Sequence, residues 1–407
     1  MLACAAASRA DARSRNHCFC PGDFALLWRP AASDAPARGS RGSGSAAVVA
    51  AAAARAPLRR RSLTALARRS LRPAASTDAD YKISDAIRAE EAAGRVYTAF
   101  EFFPPRTADG LTNLYKRCDA FKAQRPLYVD VTWGAGGSTS DLTMDICLKL
   151  RREFGLVPNM HLTCTNMPEE LIGKALEGAK AAGIRNIVAL RGDPPKGEAE
   201  WKAAEGGFSC ALDLVKHIRK HYGDLFCISV AGYPEGHPTA IKKVAPGEVL
   251  SAAEQRRVVT LEDGEHVCHD ADYASEIAYL KQKVDAGGDM IITQMFFDVE
   301  VFVQFVADCR AAGITVPILP GLMVIQNYGG FGRMAAFCKT RVPLRLRAEM
   351  DAVKDDDAAV KAAGAKECAA WCKRILDSGS CGKGLHFYTL NMDEVTFQAL
   401  DLLGLKK

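Results

Sequence analysis

The sequence predicts an α/β fold, a (β/α)₈ TIM barrel. From Arg95 onward, eight short runs rich in β-branched and aromatic residues alternate with stretches of helical periodicity. Single helices between successive strands imply parallel pairing, and eight such units fit a closed barrel. An open doubly wound sheet is the alternative, but the best Gly-rich loop, 134–138, is followed by Thr139 where a dinucleotide fingerprint has its third Gly.

Each element follows from a local pattern. Leu114, Cys118 and Phe121 share one helical face after the first strand. Gly183 and Gly313 follow helical stretches, where Gly supplies the left-handed residue that ends a helix before the next strand. The predicted strands cover residues 96–103, 127–132, 159–164, 186–190, 226–230, 290–294, 316–320 and 385–390.

Two stretches interrupt the alternation. Residues 239–272 are charged and poorly periodic, which predicts a surface insertion after strand five. Residues 328–384 separate strands seven and eight by more than one helix, so we expect an extra helix around residues 366–376, before strand eight.

The positive charge belongs to the N-terminus. The chain of 407 residues has a formal charge of +5, but residues 1–76 hold 13 Arg, no Lys and three Asp, a net charge of +10. This Arg-, Ala- and Ser-rich segment is typical of a disordered presequence that targets a chloroplast or mitochondrion. The alternatives are a disordered tail on a cytoplasmic protein or a mistranslated 5′ region. We expect residues 77–407 to form the barrel.

Several classes of partner and site are disfavoured. No segment has the roughly 20 apolar residues of a membrane span, and no aromatic residues interleave with the N-terminal Arg as in a nucleic-acid arm. The 14 Cys are scattered and predict buried thiols. His266, Cys268 and His269 are the densest ligand-like cluster, but a tetrahedral site needs a fourth ligand, so we predict no metal.

The ends of the predicted strands are unusually polar, and in a barrel of this type the chemistry lies there. Glu101 ends strand one among aromatic residues, where desolvation would raise its pKa and suit it to general acid catalysis. The alternative is a Glu paired with a core Arg or Lys. No barrel Lys with an obvious Schiff-base role and no metal-ligand set is present, which argues against aldolases and metallohydrolases.

A family resemblance covers the chain from about Tyr97 to Leu405, in order and in register with all eight strands. It is carried by the segments 100–106 (FEFFPPR), 131–135 (VTWGA), 161–164 (HLTC), 189–193 (ALRGD), 231–238 (AGYPEGHP), 292–294 (ITQ) and 386–391 (HFYTLN). With these motifs the chain closely resembles methylenetetrahydrofolate reductase.

The resemblance implies an FAD-containing barrel that reduces 5,10-methylenetetrahydrofolate to 5-methyltetrahydrofolate with NADH or NADPH, by a ping-pong mechanism. Glu101 matches the general acid, and Asp193 matches a residue near flavin and pterin. We therefore predict Glu101 and Asp193 as the catalytic residues. Gln294 and Tyr388 match substrate contacts. The matched FAD positions are Thr132, Trp133, His161, Arg191, Gly192, Asp193, Ala211, Tyr233, His237, Pro238 and Lys283.

Departures from the family pattern leave alternatives open. Cys210 stands where relatives have a Tyr, Glu276 where they have Asp, and Met392 where they have an Arg on the folate side. The resemblance also implies a homo-oligomer and a chain without the C-terminal regulatory domain of many eukaryotic relatives. A non-catalytic relative that binds folate or a partner subunit is one competing hypothesis, and a barrel lyase without flavin is another.

Overall fold

The protein folds as a closed barrel of eight parallel strands surrounded by helices, as the sequence predicts. The computed structural model describes residues 81–133, 140–192 and 203–407. Around the barrel the order is β1-β2-β3-β4-β5-β9-β10-β11, and β11 pairs with β1 to close it. The barrel strands are β1 (Tyr97–Phe102), β2 (Tyr128–Val131), β3 (Pro158–Thr163), β4 (Asn186–Leu190), β5 (Cys227–Gly232), β9 (Met290–Met295), β10 (Ile318–Met323) and β11 (Gly384–Tyr388).

The helices form the outer layer and bury their apolar faces against the strands. Within the described residues, no helix has both the length and the apolar character needed to cross a membrane. The helices are α1 (Ile83–Ala92), α2 (Ala108–Ala123), α3 (Ser140–Arg152), α4 (Glu169–Ala181), α5 (Ala211–Tyr222), α6 (Ala252–Arg257), α7 (Asp270–Asp285), α8 (Val299–Ala311), α9 (Tyr328–Phe337), α10 (Leu344–Val353), α11 (Asp357–Ser378) and α12 (Glu394–Leu402).

Helix α1, which sequence analysis did not identify, packs across the amino-terminal end of the barrel. Ile83 and Ile87 are fully buried in a cluster with residues from the lower parts of the barrel strands. Asn186, at the start of β4, accepts a hydrogen bond from the backbone N–H of Ile83 at 2.8 Å and donates one to the carbonyl of Tyr81 at 3.2 Å. The helix therefore closes the end of the barrel opposite the predicted site.

The predicted surface insertion is a folded unit. It contains a three-stranded antiparallel sheet of order β6-β8-β7, with β6 (Ile241–Lys243), β7 (Val259–Leu261) and β8 (Gly264–Cys268). Ser251 and Glu254 form a capping box at the start of α6, and Val259 and Val267 are buried. Strands of three to five residues are too short to produce a clear alternation, which is why the sequence looked irregular here.

Three helices, α9, α10 and α11, separate the seventh and eighth barrel strands. The predicted extra helix, residues 366–376, lies within α11, and α11 is 22 residues long. Gly364 in α11 packs so closely on the loop after β10 that a Cβ added there would lie 2.0 Å from the backbone oxygen of Ile325. This contact holds the longest described helix against the top of the barrel.

We expect Gly364→Ala to destabilise the protein. Overpacking costs about 1–3 kcal/mol, which exceeds the roughly 1 kcal/mol that Ala gains over Gly in helix propensity. Gly332→Ala in α9 is the matched control, since nothing lies within 4 Å of an added Cβ there. Urea midpoints would measure both effects: the first variant should fall below wild type and the second should equal or exceed it. Equal stabilisation of both variants would contradict the packing argument.

Candidate active site

Polar side chains from five barrel strands meet in a cavity of about 310 Å³ inside the barrel. Glu101 on β1, His161 on β3, Gln294 on β9 and Tyr388 on β11 reach it. With Tyr233, which follows β5, five of the sequence-predicted residues come together. The cavity is lined by Glu101, Asp130, His161, Val188, Leu190, Ala231, Tyr233, Ile292, Gln294 and Tyr388.

Glu101 is the most strongly perturbed acid of this cavity. Its side chain is buried, and desolvation, with a second contribution from the negative charge of Asp130, raises the pKa of Glu101 well above its usual value. Oε2 of Glu101 lies 3.5 Å from Nε2 of His161. In the described part of the chain no Arg or Lys forms an ion pair with Glu101. The alternative interpretation, a Glu paired with a core Arg or Lys, therefore does not apply to these residues. A carboxyl group that holds its proton at raised pH is suited to donate it.

Asp130 on β2 belongs to the same cluster, although sequence analysis did not identify it. It is fully buried, and its Oδ2 lies 3.2 Å from Nε2 of His161. Parallel pairing places Asp130 beside Glu101 in register. The signal was available, because an acidic residue interrupts the apolar strand Tyr128–Val131.

The polar cluster continues away from the cavity through His386 on β11. Nε2 of His386 lies 3.9 Å from Oδ2 of Asp130, and its Nδ1 lies 3.2 Å from the hydroxyl of Tyr128. Burial lowers the pKa of His386 to about 4. The negative charge of Asp130 opposes this shift, and the electrostatic effect of His161 adds to it. His386 is therefore neutral at physiological pH and connects Asp130 to Tyr128 without adding charge.

Two backbone contacts orient the side chains on the far wall of the cavity. The Tyr388 hydroxyl donates to the carbonyl of Thr293 at 2.6 Å, and Oε1 of Gln294 accepts from the backbone N–H of Met295 at 2.8 Å. With its oxygen engaged by the backbone, Gln294 has its NH₂ group to offer to a ligand. Gly321 is required beside this wall, because a Cβ there would lie 2.2 Å from the Thr293 oxygen.

A larger cleft of about 470 Å³ adjoins the first cavity and shares Ala231 and Tyr233 with it. Five predicted cofactor positions, Arg191, Ala211, Tyr233, His237 and Lys283, line it together with the two departures Cys210 and Glu276. The full lining is Arg191, Cys210, Ala211, Ala231, Gly232, Tyr233, His237, Glu276, Ile277, Tyr279, Leu280, Lys283 and Phe305.

The electrostatics of the larger cleft are mixed. Lys283 is buried, and its Nζ donates to the carbonyl of Ala231 at 2.7 Å. Burial raises the pKa of Glu276, and the positive charge of Lys283 partly offsets that effect. Arg191 and His237 are also buried in this wall. The cleft thus offers cationic and hydrogen-bonding groups beside an aromatic side chain, Tyr233.

Other sequence-predicted cofactor positions do not line either cavity. Trp133 is 1% exposed and packs in the hydrophobic core, Thr132 accepts a hydrogen bond from the Thr143 hydroxyl at 3.0 Å through its carbonyl, and Pro238 is buried without lining either cavity. Asp193 lies outside the described residues. The three remaining predicted ligand-like residues, His266, Cys268 and His269, do not converge on one point.

Gly192 has a packing role that sequence analysis did not anticipate. Its φ is +86°, and an added Cβ would lie 2.3 Å from the Thr163 hydroxyl and 2.6 Å from that of Thr165. Both hydroxyls donate to the carbonyl of Arg191. The end of β4 is therefore held against β3 by a contact that only Gly permits, and this contact positions Arg191 at the cleft.

Comparison with known proteins identifies the family of this chain. A family model described as methylenetetrahydrofolate reductase matches residues 86–404. The chain is 48% identical over 324 residues to methylenetetrahydrofolate reductase (NADH) 1 of Arabidopsis thaliana, covering 80% of this chain and 51% of the relative. It is 34% identical over 316 residues to a probable methylenetetrahydrofolate reductase (NADPH) of Caenorhabditis elegans, covering 76% and 42%.

A bacterial relative is matched over nearly its whole length. The 5,10-methylenetetrahydrofolate reductase of Pectobacterium carotovorum is 34% identical over 318 residues, covering 78% of this chain and 93% of the relative. The chain spans about half the length of the eukaryotic relatives it matches. With the family model covering most of the barrel, the chain belongs to the methylenetetrahydrofolate reductase family.

Proposed function

We propose that the chain reduces 5,10-methylenetetrahydrofolate to 5-methyltetrahydrofolate, with FAD as cofactor and NADH or NADPH as electron donor, in the one-carbon metabolism that feeds methionine synthesis. Family membership supports the reaction class. The single observation that carries the chemistry is Glu101, a buried carboxyl group with a raised pKa at the wall of a cavity.

The larger cleft is a suitable place for FAD. Arg191 and Lys283 bring positive charge to a diphosphate, and Tyr233 offers an aromatic face. When bound, FAD would accept a hydride from the nicotinamide and deliver it to the folate in a second half-reaction. The cleft and the smaller cavity share Ala231 and Tyr233, so ligands in the two spaces would lie next to each other.

In the folate half-reaction, Glu101 donates its proton to a nitrogen of the five-membered ring of the substrate. That ring then opens to an iminium, which is the acceptor of the hydride, and Glu101 is left as a carboxylate that solvent reprotonates. Gln294 would hydrogen-bond the pterin through its NH₂ group, and Tyr388 would form part of the substrate side of the cavity. Asp193 would lie near flavin and pterin.

The test is anaerobic half-reaction kinetics on the purified chain, with Glu101→Gln as the variant. NADH and NADPH, added separately, should each be tested for flavin bleaching, and methylenetetrahydrofolate should then restore the colour. The variant should bleach like wild type and lose about 10²–10⁴-fold in the rate of reoxidation by folate, since Gln cannot supply a proton. A colourless purified protein would favour the alternative of a barrel lyase without flavin. A bleached flavin that methylenetetrahydrofolate never reoxidises would favour a non-catalytic relative.

We predict that Asp130→Asn moves the pH profile of the folate half-reaction to lower pH. The negative charge of Asp130 is one cause of the raised pKa of Glu101, so its removal lowers that pKa. Because the protonated acid is the active form, the rate falls as pH rises through the pKa of Glu101, and in the variant this fall comes earlier. A uniformly lower rate with an unmoved inflection would mean that Asp130 does not act on Glu101.

We also propose that residues 1–76 direct the protein to a chloroplast or mitochondrion, supported by their +10 charge and their lack of Lys. A fluorescent reporter fused to this segment should enter one of these organelles in plant cells. A matched fusion in which the 13 Arg are replaced by Gln should remain in the cytoplasm. Cytoplasmic fluorescence from both fusions would instead support a disordered tail on a cytoplasmic protein or a mistranslated 5′ region.

A further inference from the structure

Three potential metal ligands converge on the outside of the barrel, away from the proposed reaction. His217 and His221 lie one helical turn apart on α5, and Glu169 is the first residue of α4. One ligand atom of each residue lies within 4.8 Å of the others. The spacing of four residues places both imidazoles on one face of the helix, and their ring centroids are 4.5 Å apart.

The separation of these atoms is close to that of a metal site. The ligand atoms of a tetrahedral Zn²⁺, each about 2.0–2.1 Å from the ion, lie roughly 3.3 Å from one another. Nδ1 of His217 lies 3.4 Å from Oε1 of Glu169, which matches that spacing. Glu169 and His221 are exposed, so small side-chain rotations can bring all three atoms to one ion. A water molecule can complete the coordination.

The types of ligand select the ion. Two imidazoles and one carboxylate suit Zn²⁺ and similar divalent transition metals, whereas Mg²⁺ and Ca²⁺ prefer oxygen ligands only. Phe208 packs on the His217 ring at a centroid distance of 4.9 Å and restricts its orientation.

We propose that Glu169, His217 and His221 form a surface binding site for a divalent transition metal ion, with Zn²⁺ as the best fit. The site joins α4 to α5 beside the segment 203–209. Gly207 in that segment pairs with Pro168, and the backbone N–H of Glu169 donates to the carbonyl of Gly206 at 3.1 Å. The segment leads directly to Cys210 and Ala211 of the larger cleft, so a bound ion braces one edge of that cleft.

The experiment is titration of the EDTA-stripped full chain with Co²⁺, followed by absorbance, and with Zn²⁺ in competition with a chromophoric chelator. We expect one equivalent to bind with visible Co²⁺ bands of nitrogen and oxygen ligation and without thiolate charge-transfer bands. His221→Ala and Glu169→Gln should each weaken binding at least about tenfold, because each removes one of three protein ligands. Lys216→Ala, at another exposed position of the same helix, is the matched control and should bind like wild type.

Both variants change exposed side chains, and circular dichroism and thermal melting without metal would verify that they fold. Saturating Zn²⁺ should raise the melting temperature of wild type and of Lys216→Ala, and not that of His221→Ala. Absence of binding to wild type would overturn the proposal. So would binding that both ligand variants retain, which would place the ion elsewhere, either on Cys thiolates or at the buried cluster of Glu101, Asp130 and His161.

Discussion

The pairing of two buried carboxyl groups on adjacent strands is the constraint on which the rest of the site depends. The parallel register of β1 and β2 sets Glu101 beside Asp130, with their oxygens within 4.8 Å. Two negative charges at that distance repel by roughly 3 kcal/mol even at an effective dielectric constant of about 20, and desolvation adds to this cost. Desolvation, together with the charge of Asp130, raises the pKa of Glu101 well above its usual value.

The fold excludes water from the side of this pair that faces the amino-terminal end of the barrel. Helix α1 closes the amino-terminal end of the barrel with Ile83 and Ile87, and neutral His386 fills the space between Asp130 and Tyr128. The burial that raises the pKa of Glu101 is also the property on which its proposed role as a proton donor rests.

The outer elements support the cleft indirectly. Gly236 has a φ of +97°, and an added Cβ would lie 2.6 Å from Cys268 of β8, so the folded insertion packs directly against the loop that carries His237. On the opposite side, the end of β4 is held by the hydroxyls of Thr163 and Thr165. Both edges of the cleft thus depend on close backbone contacts that a larger residue than Gly would prevent.

The barrel and its eight strands could be predicted from local periodicity alone, and the raised pKa of Glu101 could be predicted from its place among aromatic residues. Sequence analysis missed Asp130, since an acid inside a short apolar strand gains meaning only once strand register places it beside Glu101. It missed α1 although Ile83 and Ile87 share one helical face, because this helix precedes the first strand and lies outside the strand-helix alternation. Only tertiary structure could decide that Trp133 packs in the core, that the insertion folds, and that Glu169 meets His217 and His221, since these contacts join residues far apart in the chain.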